Sequence, residues 1–116
     1  MESLNKETFK EKIFDFEKNK EWKFEGELPA IVKFTAHWCG PCRVLNPILK
    51  ELSEEYKDKI NIYEVDVDQE NEISELFNIR NIPSMLFCTD FNKPAMTTGA
   101  LPKKKIIEVI NKNLFK

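Results

Sequence analysis

The residues best suited to chemistry are two cysteines in the run Trp38-Cys39-Gly40-Pro41-Cys42. This run follows an apolar, β-branched segment and opens a segment with helical periodicity, which indicates the N-terminus of a helix. Free backbone N–H groups and the positive end of the helix dipole stabilise an anion there, so a thiol's pKa falls below about 8.5. We therefore predict that Cys39 is a nucleophile. Cys42, one turn further along and less exposed, would resolve the mixed disulfide that Cys39 forms with a substrate.

Two other uses of the cysteine pair are less favoured. A zinc site needs a second pair of Cys or His ligands, and the chain offers only His37 and Cys88 in addition. A structural disulfide between residues so close in sequence closes a very small loop and removes little entropy from the unfolded chain. We expect no metal site, reversible disulfide chemistry at Cys39 and Cys42, a buried structural thiol at Cys88 and an exposed, functionless His37.

The hydrophobic pattern predicts the elements that position this pair. Helical periodicity covers residues 5–18, the segment from the cysteine pair to residue 57, residues 72–77 and a last helix opened by Pro102. Apolar or β-branched runs predict strands at 30–35, 60–66, 84–88 and 95–98. Strand, helix and strand in succession indicate a parallel βαβ unit, and the last two strands are too close for a crossover, so they form an antiparallel hairpin. The predicted class is α/β, with a central mixed sheet flanked by helices on both faces.

In this order of elements, from about Asn5 to Leu114, the chain resembles the thioredoxin family. Residues 38–42 match that family's WCGPC letter for letter, and Ile82-Pro83-Ser84 is similar to its Ile-Pro-Thr, whose proline is cis and lies against the active cysteines. Residues 99–101 resemble the Gly-Ala-Leu that closes the family's substrate groove. The resemblance implies one thioredoxin domain over residues 1–116 and a protein disulfide reductase without a bound cofactor. It also implies that a thioredoxin reductase supplies the electrons from NADPH.

The resemblance further implies a substrate surface beside Cys39. Pro83 has no N–H, which leaves the neighbouring Ile82 backbone free to pair with an extended substrate. Without the resemblance, Pro83 would be interpreted as a trans proline that opens a strand. The expected surface is flat and mostly apolar, so it admits many disulfide substrates without strong selection; it consists of Trp38, Gly40, Pro41, Ile82, Pro83, Gly99 and Ala100.

Two charged positions depart from the family's pattern. The family carries a buried Asp before the active site and a Lys in the next strand, and the matching residues here are Lys33 and Glu64. A buried ammonium is costly without a partner, so we expect the two to pair, the alternative being that they extend to opposite edges and never meet. If they pair, Glu64 or a deprotonated Lys33 must accept the proton of Cys42. A charged Lys33 would favour thiolate and make the protein more oxidising than its relatives.

Composition limits the remaining classes of function. The chain has 116 residues, with 18 Lys and Arg against 20 Asp and Glu, and its net charge of -2 gives no general attraction to nucleic acid or anionic membranes. No apolar run approaches the roughly 18 residues that cross a bilayer. We expect a monomer in the cytoplasm, or in the periplasm if a signal peptide has been removed. The alternatives are a thioredoxin-like binding subunit, which would not need both thiols, and a periplasmic disulfide oxidoreductase, whose CxxC usually contains His.

Overall fold

A computed structural model describes all residues from 1 to 116. The elements in chain order are β1 (Glu2–Ser3), α1 (Lys6–Lys12), β2 (Ala30–Thr35), α2 (Gly40–Glu55), β3 (Asn61–Asp66), α3 (Asn71–Leu76), β4 (Ser84–Cys88), β5 (Ala95–Thr98) and α4 (Lys103–Asn113). The five strands form one mixed sheet in the order β1-β3-β2-β4-β5. β2 is parallel to β3 and antiparallel to β4, and β4 is antiparallel to β5, which confirms the predicted βαβ unit and hairpin.

The alternation of side chains along β2 divides the core into two layers. Ala30, Val32 and Phe34 pack on the face covered by α1 and α3, whereas Ile31 packs on the face covered by α2 and α4. This follows from the period of two in a strand, which sends successive side chains to opposite faces. Helices therefore cover both faces, as predicted, and Lys33, two residues after Ile31, belongs to the α2 face.

The first helix is shorter than the predicted range of 5–18. Asn5 caps it through the Thr8 N–H at 2.9 Å, but the helix ends at Lys12. The Asp15 carboxylate then accepts the backbone N–H groups of Glu17 and Lys18, each at 3.2 Å, so a turn replaces the next helical turns. Phe16 continues the helical spacing of apolar residues and still packs against the core, but it does so from outside the helix.

The remaining differences lie at the ends of elements. The sequence did not predict β1, because two residues are too few to show a periodic pattern. α2 ends at Glu55 rather than residue 57, and β3 and α3 differ from their predicted ranges by one residue at one or both ends. Pro102 is the N-cap of α4 rather than its first residue. None of these shifts moves the residues on which the predicted site depends.

Candidate active site

The cysteine pair lies at the junction between the end of β2 and the start of α2. Cys39 is the N-cap of α2 and is joined to Cys42 by a disulfide, with 5.4 Å between their Cα atoms. The Cys39 Sγ accepts a hydrogen bond from the Cys42 backbone N–H at 3.2 Å. Gly40 and Pro41 form the first turn, where a proline's missing N–H removes no helical hydrogen bond. The helix N-terminus therefore directs a backbone donor at the Cys39 sulfur, as the sequence analysis predicts.

The two cysteines differ less in solvent exposure than the sequence predicts. Cys39 is 3% exposed and Cys42 is 1% exposed, so both sulfurs are buried in the disulfide form. The neighbouring Trp38 is 61% exposed, and its Nε1 donates to the Asp68 carboxylate at 2.7 Å. Asp68 was not predicted, since nothing in the sequence links the loop after β3 to Trp38. His37 is exposed, as expected, and its carbonyl accepts from the Arg43 guanidinium at 2.9 Å.

The predicted substrate surface is brought together from three parts of the chain. The Ile82–Pro83 peptide bond is cis, as the resemblance implies, and Ile82 packs against the small cluster of Ala36, Cys39 and Cys42. The Gly99 N–H donates to the Pro83 carbonyl at 2.8 Å, which joins the two segments. Neither the N–H nor the carbonyl of Ile82 has a backbone partner. Most of the set is exposed or half-buried, but Pro83 itself is buried; the exposed members are Trp38, Gly40, Pro41 and Ala100.

Lys33 and Glu64 form the ion pair that the sequence predicts. They are register partners on β2 and β3, and the Lys33 Nζ lies 3.5 Å from the Glu64 Oε2. Lys33 is 1% exposed and the Glu64 side chain is 28% exposed, so the cation lies inside and the anion reaches solvent. Burial lowers the pKa of Lys33, and the Glu64 carboxylate partly offsets this by raising it. The alternative in which the two side chains never meet is wrong.

Two further residues that were not predicted from the sequence, Ser3 and Asn46, complete this polar cluster. The Asn46 Oδ1 accepts a hydrogen bond from the Lys33 Nζ, and the Ser3 Oγ donates to the Glu64 Oε1 at 3.1 Å. Asn46 follows Cys42 by four residues, so the i, i+4 spacing on a helix could have indicated it. Ser3 lies on the unpredicted β1, so no sequence signal pointed to it.

A cavity open to solvent connects the cluster to the resolving cysteine. Its volume is about 380 Å³, and its lining includes Lys33, Cys42, Asn46 and Glu64. The structure contains no group of three His, Cys, Asp or Glu side chains arranged to hold a metal ion. None of its helices has the length and apolar character needed to cross a membrane.

Comparison with known proteins gives one consistent result. A family model described as Thioredoxin matches residues 1–112. The chain is 42% identical over 113 residues to a thioredoxin of Borreliella burgdorferi, covering 97% of this chain and 96% of that one. It is 40% identical over 90 residues to thioredoxin C-2 of Corynebacterium nephridii, covering 78% and 83%. The crystal structure of a chloroplastic thioredoxin z superposes with a TM-score of 0.80 at 24% identity, over 97% of this chain and 92% of that one, and supports the fold alone.

Proposed function

The chain belongs to the thioredoxin family of thiol-disulfide oxidoreductases, and from this premise we propose that it reduces protein disulfides with Cys39 as nucleophile and Cys42 as resolving thiol. The hydrogen bond from the Cys42 N–H to the Cys39 Sγ carries this assignment, because the same donor stabilises a thiolate at Cys39 once the disulfide is reduced. Cys42 lies inside the first turn of α2, where its own sulfur has no such donor.

The exchange needs only thiols and disulfides. The Cys39 thiolate attacks one sulfur of a substrate disulfide, a Cys39–substrate bond forms, and the other substrate sulfur leaves with the electron pair and takes a proton. The Cys42 thiolate then attacks the Cys39 Sγ, which releases the second substrate sulfur as a thiol and leaves the Cys39–Cys42 disulfide. Two electrons pass from the protein to the substrate, so no prosthetic group takes part.

Two single substitutions test the roles of the cysteines. Cys39→Ser is expected to abolish turnover in an insulin reduction assay. Cys42→Ser is expected to stop after the first step and to hold substrate proteins as mixed disulfides, which non-reducing gels of a cell extract would display. Cys88→Ser serves as the control, since that thiol lies outside the site. Turnover that survives in Cys39→Ser would contradict the assignment.

Substrate binding is proposed to occur at the surface defined by Trp38, Gly40, Pro41, Ile82, Pro83, Gly99 and Ala100. The unpaired N–H and carbonyl of Ile82 support this role, since an extended substrate backbone could pair with them beside Cys39. The exposed Trp38 ring adds apolar contact area. The surface has few groups that would select one side chain, which fits a reductase with many substrates.

Lys33 and Glu64 are proposed to control the proton of Cys42. The Lys33 ammonium stabilises the Cys42 thiolate by its charge, and Glu64 accepts the proton through water in the shared cavity. Glu64 also favours the charged form of Lys33, since its carboxylate raises the Lys33 pKa against the larger, lowering effect of burial. A cation near the thiols favours the reduced form, so the protein should be more oxidising than relatives that have Asp at this position.

Glu64→Gln tests this role. Without the carboxylate, Lys33 loses the charge that raises its pKa, so a larger share of Lys33 becomes neutral and the Cys42 thiolate loses support. We expect the pH midpoint of disulfide reduction to rise and the reduction potential to become more negative. Glu54→Gln, an exposed carboxylate elsewhere on α2, is the matched control. If Glu64→Gln changes neither the pH profile nor the potential, Glu64 has no such role.

Family membership suggests disulfide-containing proteins as substrates and a reductase as electron donor, and we propose a thioredoxin reductase that uses NADPH. We propose that residues 1–116 form one domain that acts as a monomer. The Gly40-Pro41 pair and the free thiol of Cys88 fit a reducing compartment, for which the cytoplasm is the proposal.

A further inference from the structure

A row of polar side chains crosses three neighbouring strands on the α2 face of the sheet. Ser3 of β1 is the register partner of Glu64 on β3, which is in turn the partner of Lys33 on β2. On its other side, Lys33 is paired with the apolar Met85 of β4. The sheet therefore offers the Lys33 ammonium a polar neighbour on one side only, and a second hydrogen-bond acceptor must come from the helix above.

Asn46 supplies that acceptor. It lies one turn after Cys42 on α2, and its Oδ1 accepts from the Lys33 Nζ. Among the α2 residues that line the cavity, Cys42, Arg43 and Asn46, only Asn46 has a side-chain oxygen. Asn46 is itself exposed, so its side chain is not needed to fill the core. Lys33, by contrast, is the only charged residue among the buried side chains.

The position of the ammonium depends on the balance between its two partners. Glu64 alone would draw the Lys33 Nζ toward β3, whereas Asn46 draws it toward α2. Since residues four apart on a helix lie about 6 Å from each other, the pull toward Asn46 is a pull toward Cys42. A charge acts more strongly on a thiolate at shorter range and in less polar surroundings, so a small displacement of Lys33 changes how strongly it stabilises a thiolate at Cys42.

Other titratable groups face the same cavity and do not replace Lys33. The Arg43 guanidinium donates to the His37 carbonyl, and the Asp66 carboxylate accepts the backbone N–H groups of Asp68 and Gln69. The full set of titratable side chains that line the cavity, besides Lys33, is His37 from the β2–α2 loop, Cys42 and Arg43 from α2, Glu64 and Asp66 from β3, and Glu70 from the segment before α3.

We propose that Asn46 is a positioning residue for disulfide exchange, whose side-chain carbonyl holds the Lys33 ammonium beside Cys42 and so stabilises the thiolate that resolves the mixed disulfide. The inference rests on the proposed role of Lys33 and deepens it. In the affected step, the Cys42 thiolate forms a bond to the Cys39 Sγ, and the Cys39–substrate bond breaks. The substrate sulfur leaves with the electron pair of that bond and takes a proton from water.

The test separates the two steps of exchange with a chromogenic aromatic disulfide in a stopped-flow instrument. Attack by Cys39 releases one equivalent of coloured thiolate at a rate proportional to reagent concentration. Attack by Cys42 releases a second equivalent in a phase that does not depend on reagent concentration. The pH dependence of the second phase reports the Cys42 thiol, and that of the first phase reports Cys39.

Asn46→Ala is expected to raise the pH midpoint of the second phase by about half a unit to one unit, which slows it roughly three- to tenfold below the midpoint. The first phase is expected to keep the wild-type rate. In a Lys33→Met background, Asn46→Ala should produce no further change, because Asn46 acts through Lys33. Ser53→Ala, which removes another exposed polar group from α2, should match the wild type in both phases.

The outcomes distinguish this inference from the proposal on which it rests. A wild-type midpoint in Asn46→Ala, together with a shifted midpoint in Lys33→Met, overturns the role of Asn46 alone. An equal shift from Asn46→Ala in the presence and absence of Lys33 also overturns it, since Asn46 would then act directly. A wild-type midpoint in Lys33→Met overturns the role of Lys33 itself, and the role of Asn46 with it.

Discussion

The amino group of Lys33 lies in the interior of the protein, where burial of a charge is energetically unfavourable. The side chain is 1% exposed and meets only the Asn46 carbonyl and the Glu64 carboxylate as acceptors. Taking an ammonium and a carboxylate out of water costs several kcal/mol per ion, and their attraction seldom exceeds this cost. Burial accordingly lowers the pKa of Lys33 although Glu64 opposes the change. A residue that weakens the fold and also lines the cavity behind Cys42 is consistent with the proposed role in exchange.

Lys33→Met should therefore stabilise the protein while it impairs resolution by Cys42. Met is an unbranched, apolar side chain one atom shorter than Lys, and Glu64 is 28% exposed, so water can hydrate the carboxylate that loses its partner. We expect the free energy of unfolding of the oxidised protein to rise by about 1 to 3 kcal/mol at neutral pH. Urea unfolding measures this change, and a variant less stable than the wild type would contradict the expectation.

The lowered pKa of Lys33 predicts how the stability of the wild type and of Lys33→Met depends on pH. The pKa of Lys33 is about 10.5 in the unfolded chain and lies below that value in the folded protein. At a pH between these two pKa values, the unfolded chain therefore binds more protons than the folded protein does. The wild type should therefore gain stability as the pH rises through that window toward the unfolded value. The advantage of Lys33→Met should shrink over the same window, which parallel urea titrations at neutral and alkaline pH would measure. An advantage that grows with pH would show that the pKa of Lys33 is raised instead.

Two glycines next to the site provide a matched comparison. Gly99 has a φ of +96°, a conformation that side chains with a Cβ rarely adopt, whereas a Cβ at Gly40 meets no atom within 4 Å. Gly99→Ala should lower the free energy of unfolding by about 1 to 2 kcal/mol. Gly40→Ala should leave it unchanged or raise it by up to about 1 kcal/mol. Thermal unfolding of both variants checks this, and equal stabilities would contradict the backbone argument.

Among the helices and strands, the sequence predicted those whose apolar residues recur with a regular period. Long apolar stripes located β2, α2 and α4, and the register of parallel strands made Lys33 and Glu64 neighbours. The end of α1 was mispredicted because the apolar spacing continued to Phe16, while the Asp15 side chain captured the backbone N–H groups that a helix would have used. Ser3 and Asp68 were missed because each depends on how separate elements pack, whereas the only sequence signal for Asn46 was its i, i+4 spacing from Cys42 on α2.

An ion-pair network ties α1 to its surroundings through Glu17. The Glu17 carboxylate lies 3.1 Å from the Lys6 Nζ and 2.5 Å from the Lys10 Nζ, and Lys6 also contacts Glu72 of α3 at 3.0 Å. The two lysines lower the pKa of Glu17, so its stabilising contribution is present above about pH 4.5 and is lost as the pH falls through the folded value.

Glu17→Gln should lower the melting temperature at neutral pH and low salt, and the loss should shrink when salt is added, since these charges are exposed and screened. In acid, the variant and the wild type should converge. Scanning calorimetry over pH and ionic strength measures both effects. Glu21→Gln, an exposed acid that forms no ion pair in the structure, is the control. A loss that is the same in acid and at neutral pH would mean that Glu17 acts through packing.

At the scale of the whole molecule, the three cysteines lie in two separate environments. Cys39 and Cys42 pack with Ala36 in a small cluster at the end of the sheet. Cys88 is fully buried in the core layer on the opposite side of β2 from α2, in the same cluster as Val32 and Phe34. Burial raises the pKa of the Cys88 thiol well above its ordinary value, so the thiolate is scarce even where reagent could reach it.

Cys88 should therefore react only when the whole molecule unfolds. In the oxidised protein it is the only free thiol, so alkylation by a maleimide reports Cys88 alone. For a domain stable by 5 to 10 kcal/mol, labelling in buffer should be slower than in denaturant by a factor on the order of ten thousand or more. Mass spectrometry follows the reaction, and Cys88→Ala should take up no label.

The destabilising Gly99→Ala variant should label faster in proportion to its loss of stability, because the reactive species is the unfolded chain. Rapid labelling at a rate that does not depend on global stability would instead indicate that the protein opens locally at β4. This strand lies between β2, which leads to the active site, and the edge strand β5.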